Sequence, residues 1–99
     1  MKGFGKNQES EKNSSSNELN KVTNIKKNRL LNEALKFHSQ ANIEEAISSY
    51  ESFLNCGYTD PRVFSNYGVI CQQKGDITKA IFLYKQSIKL YPNDFSSFL

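Results

Sequence analysis

Tryptophan is missing from this chain, and four other residue types nearly so: two prolines, two cysteines, one histidine and one methionine. Each scarcity excludes something. Cys56 and Cys71 lie far apart with no second pair, so they form neither a disulfide framework nor the close ligand pairs of a structural metal site. A reduced chain is the expectation. The lone histidine, His38, has no Ser, Cys or Asp arranged beside it at a catalytic spacing. Gly3 and Gly5 precede no strand pattern, which removes a phosphate-binding loop. No apolar run reaches the length of a membrane helix or of the core of a secretory signal, and a cytoplasmic location is expected. Lys and Arg outnumber Asp and Glu by 13 to 10 without clustering, so neither nucleic acid nor membrane is an expected partner. No cofactor, metal site or enzymatic activity is expected, and 99 residues leave room for one small domain.

What remains is helical pattern. Residues 1–22 are mostly Lys, Asn, Ser and Glu, a composition expected to stay disordered because it has little to bury. Leu19, Val22 and Ile25, three apart, extend the first helix backward. Leu30, Leu31, Ala34, Leu35 and Phe37 then fall on one helix face. Asn42 is placed to cap the next helix, with Glu45 as its capping-box partner. Ile43, Ala46, Ile47, Tyr50 and Leu54 form the second stripe. Gly57 closes it, and Asp60-Pro61 opens a third helix as N-cap and first turn. Phe64, Tyr67, Gly68, Ile70 and Cys71 follow. Gly75-Asp76 breaks and recaps, Ile77, Ala80, Ile81, Tyr84 and Ile88 form a fourth stripe, and Asp94 is placed to cap a fifth helix.

The fourth stripe copies the second. Ile43, Ala46, Ile47 and Tyr50 recur as Ile77, Ala80, Ile81 and Tyr84 at one offset, 34 residues (80 − 46). Units of this size stack into solenoids. Ala34 and Gly68 face Ala46 and Ala80, small against small, so that paired helix axes approach closely while Phe37, Tyr50, Tyr67 and Tyr84 fill the space beside them. This arrangement resembles the tetratricopeptide repeat. Tyr67-Gly68, Gly75-Asp76, Ala80, Tyr84 and Pro92 stand where that family has its typical residues. The first unit departs more: Glu33 precedes Ala34, Ala41 replaces the turn glycine, and Tyr58 replaces the closing proline. The expected fold is therefore all-α. It is a right-handed solenoid of two helical hairpins, residues 27–60 and 61–94, after the tail at 1–22. Residues 95–99 would begin a truncated third repeat or capping helix.

The resemblance implies a concave surface lined by the first helix of each unit. Carried onto this chain, its candidate peptide-binding residues are Leu31, Asn32, Leu35 and Ser39, then Arg62, Asn66, Val69 and Gln73. Asn and Gln amides suit an extended backbone, Arg62 a carboxylate, and the aliphatic residues an apolar side chain. Some members of the family clamp the C-terminal carboxylate of chaperones, and of those clamp residues only Asn66 is matched, so chaperone-tail binding is not expected. Phe82 and Leu83 replace Ser48 and Ser49, which widens the apolar arc of the fourth helix. Phe82, Leu83 and Phe98 are the candidates for an exposed apolar edge. The expected function is a non-catalytic scaffold that binds a protein or peptide through either surface, with self-association through the edge as a further expectation. The alternative is the recognition part of a longer transferase of the sulfotransferase or glycosyltransferase type.

Overall fold

The computed structural model describes the backbone of residues 2–94 and the side chains of residues 20–94. Among the described residues there are four α-helices and no strand: α1 (Lys2–Ser39), α2 (Ile43–Asn55), α3 (Pro61–Gln73) and α4 (Ile77–Leu90). α1 packs on α2, α3 on α4, and α2 joins the two hairpins by packing on α3.

Short loops and local chemistry end each helix. Asp60 caps α3 by accepting the Arg62 N–H at 2.8 Å, with Pro61 in the first turn, and Asp76 caps α4 by accepting the Lys79 N–H at 3.3 Å. Asn42 occupies the corresponding place before α2 but makes no cap hydrogen bond. Its amide instead donates to Gln40 Oε1 at 3.4 Å. The expected capping box is thus not closed by Asn42.

α1 begins at Lys2, where composition leads to the expectation of a disordered tail over residues 1–22. No proline interrupts the segment, and adding residues to a formed helix costs far less than nucleating one. Every side chain from Asn20 to Lys26 is exposed, Val22 and Ile25 included.

The core lies where the two hairpins meet. Tyr50, Phe53, Val63 and Ile70 are at or near complete burial, with Ala34, Ala46, Tyr67, Ala80 and Leu83 around them. Tyr50 and Tyr67 stack with ring centroids 5.8 Å apart, and Tyr58, in the place of the family's closing proline, tilts against Phe53 at 5.5 Å. Two ion pairs span the hairpins, Lys74 to Glu44 at 2.6 Å and Lys79 to Glu51 at 3.4 Å. Both are solvent-exposed, so each contributes at most about 1 kcal/mol and acts chiefly on register.

The core departs from the sequence reading at two places on α4. Leu83 is 3% exposed and belongs to the core, not to an exposed edge. It stands one turn from both Ala80 and Ser87, and these three form the face against α3. Ile77, Ile81 and Ile88, expected in the buried stripe, are 51%, 47% and 41% exposed.

Candidate protein-interaction surface

One hydroxyl links α1 to α2. Nδ1 of His38, near the end of α1, lies 2.9 Å from the Tyr50 hydroxyl of α2. Burial raises the Tyr50 pKa, against the smaller opposing pull of Asn66. His38 lies in the last turn of α1, and its ring meets Tyr50 edge-on at 6.0 Å. No spacing rule relates residues on different helices, which is why this contact was not legible.

Around this junction lie the candidate groove residues. Asn32, Ser39 and Gln73 are exposed, while Leu35, Asn66 and Val69 are half-buried. Asn32, Leu35 and Ser39 stand at the same repeat positions as Asn66, Val69 and Gln73. Each helix therefore offers the same strip: an amide, one aliphatic residue and a second polar group.

Two candidates do not fit this role. Leu31 is 5% exposed and packs in the core, because it shares a helix face with Ala34 and His38, toward α2. Arg62 is exposed, but its guanidinium is engaged. Nε and Nη2 each donate to the Asp60 carboxylate at 3.1 Å, and this pairing raises the arginine's pKa. A partner carboxylate at Arg62 must compete with the residue that caps its own helix.

The second candidate surface, the apolar edge, is also redistributed. Phe82 is 58% exposed, Leu83 is buried, and Phe98 lies outside the described residues. The two cysteines differ: Cys56 is exposed and Cys71 is buried. Burial raises the Cys71 thiol pKa. Burial also raises that of Tyr67, partly opposed by Lys79, whose ammonium sits 4.9 Å from the Tyr67 ring centroid. Among the described residues no group of three His, Cys, Asp or Glu side chains is placed to hold a metal ion, and no helix is long and apolar enough to cross a membrane.

Residues 61–94, which contain the α3–α4 hairpin, match the family model for the tetratricopeptide repeat. By this match residues 61–94 form one tetratricopeptide repeat unit. A repeat of this kind is in general a protein-interaction unit. No curated protein matches the chain, and no solved structure does.

Proposed function

We propose that the chain is a non-catalytic scaffold that binds a peptide or protein along the strip formed by Asn32, Leu35 and Ser39 on α1 and Asn66, Val69 and Gln73 on α3. The observation that supports this reading is the recurrence of the strip at one repeat offset, with Asn32, Leu35 and Ser39 matched by Asn66, Val69 and Gln73 and every one of them exposed or half-buried. Repeated amides flanking a fixed aliphatic floor suit an extended chain, whose backbone needs donors and acceptors at regular intervals. The setting proposed is cytoplasmic, in keeping with two free cysteines.

The test is affinity capture with the full chain, quantified against a variant carrying Asn32→Lys, Val69→Asp and Gln73→Lys. These positions are exposed or half-buried, so the helices should persist by circular dichroism. Loss of a specific partner supports the strip. An unchanged partner set removes it.

A further inference from the structure

The internal repeat shows what each helix face is built to meet. On α2, Ile43, Ile47 and Leu54 are half-buried and packed against the core. The same positions on α4, Ile77, Ile81 and Ile88, stand open to solvent. At the covered face the following unit brings lysines to the acidic flank of α2, Lys74 to Glu44 and Lys79 to Glu51. α4 reverses that flank. Glu51 becomes Lys85, Asn55 becomes Lys89, and α4 contains three lysines and no acid, whereas α2 contains three glutamates and no base. Among the described residues Lys85 and Lys89 are exposed and have no ion-pair partner.

We propose that this face of α4 docks an amphipathic helix of a partner protein, one whose apolar stripe is flanked by carboxylates. The proposal rests on the reading of the chain as an interaction module, but places a partner on a different surface. A helix is the fitting shape because α3 is what packs on the corresponding helix, α2. Carboxylates are the fitting charge because Lys85 stands where the internal junction has Glu51. Charge also weighs against the two nearest alternatives. A second α4 would bring lysines against lysines across a two-fold interface. The face of α1 that would stack head-to-tail carries Arg29, Glu33 and Lys36, all exposed, at the positions of the buried Val63, Tyr67 and Ile70.

The probe is a designed helical peptide of about four turns with an isoleucine stripe flanked by Glu, compared with the same peptide flanked by Lys. Binding to the full chain is followed by fluorescence anisotropy and mapped by amide chemical shifts. The Glu peptide should bind at least about tenfold more tightly at low salt. Lys85→Glu with Lys89→Glu should reverse the preference, and Ile81→Ser should abolish binding of both. Equal affinity for the two peptides, no binding of either, or shifts confined to α1 and α3 would overturn the proposal. So would a concentration-dependent dimer that protects Ile81, which would assign the face to a second copy. Binding abolished by the α1/α3 variant above but retained in Ile81→Ser would sink this proposal while leaving the concave strip standing.

Discussion

Gly68 and Tyr84 approach across the α3–α4 hairpin so closely that a Cβ on the glycine would lie 2.6 Å from Cε1 of the ring. The ring is held in place, since its hydroxyl donates to Gln72 Oε1 at 3.1 Å. Alanine is intrinsically favoured over glycine in a helix by about 1 kcal/mol, but overpacking costs about 1–3 kcal/mol. Gly68→Ala should therefore lower stability by about 1 kcal/mol, read as a fall in the urea midpoint. Removing the ring in Gly68→Ala/Tyr84→Leu should recover part of the loss relative to Tyr84→Leu alone. A stabilised Gly68→Ala chain would show that the hairpin opens freely.

Ala41 and Gly75 occupy the same repeat position, and both have positive φ, 61° and 86°. Only the glycine adopts this conformation without a Cβ clash, which costs other residues roughly 1–2 kcal/mol. Ala41→Gly should raise the thermal midpoint by about 4–8 °C, the shift of a domain this small for about 1 kcal/mol. Gly75→Ala should lower it by a similar amount. Equal melting of the wild type and Ala41→Gly would remove the claim of strain at that turn.

Stability should fall above about pH 10, the ordinary tyrosine pKa. Burial raises Tyr50, Tyr67 and Tyr84, and Lys79 is raised chiefly by its hydrogen bond with Tyr67. A raised pKa means that the folded chain holds its proton where the unfolded chain has lost it. The contribution is complete below the unfolded value and disappears as pH rises through the folded one. Tyr50→Phe should flatten this alkaline loss. It should also cost about 1 kcal/mol at neutral pH through the lost bond to His38. A Tyr50→Phe profile parallel to wild type across the alkaline limb would contradict the assignment.

The two thiols should differ. Cys56 is exposed, and Cys71 is buried with a raised pKa. Iodoacetamide at neutral pH should label Cys56 in the native chain, and both cysteines only in denaturant, as read by intact mass and peptide mapping. Labelling of Cys71 at the rate of Cys56 would mean that the α3–α4 hairpin opens readily.

Repeat position and burial separate cleanly in these residues. The offset between Ala46 and Ala80 identified equivalent sites, and the Asp60 and Asp76 caps followed from residue type alone, because caps and turns are satisfied within a few residues of chain. Equivalence did not predict environment. Ser49 and Leu83 share a position, and so do Ile47 and Ile81, yet Leu83 is buried and Ile81 is open to solvent. Leu31, on a helix read as lining the groove, faces inward because the phase of α1 is set by its contact with α2. Arg62, expected to meet a partner carboxylate, pairs with Asp60 through a rotamer that residue type alone does not specify.

The sequence alone determined the helical stripes and their repetition, since periodicity, capping and turn residues act locally along the chain. Tertiary structure decided which members of each stripe are covered and what the polar groups touch. Burial of a helix face depends on whether a neighbouring helix lies over it. α3 covers α2, nothing among the described residues covers the same face of α4, and only folding brings His38 to the Tyr50 hydroxyl.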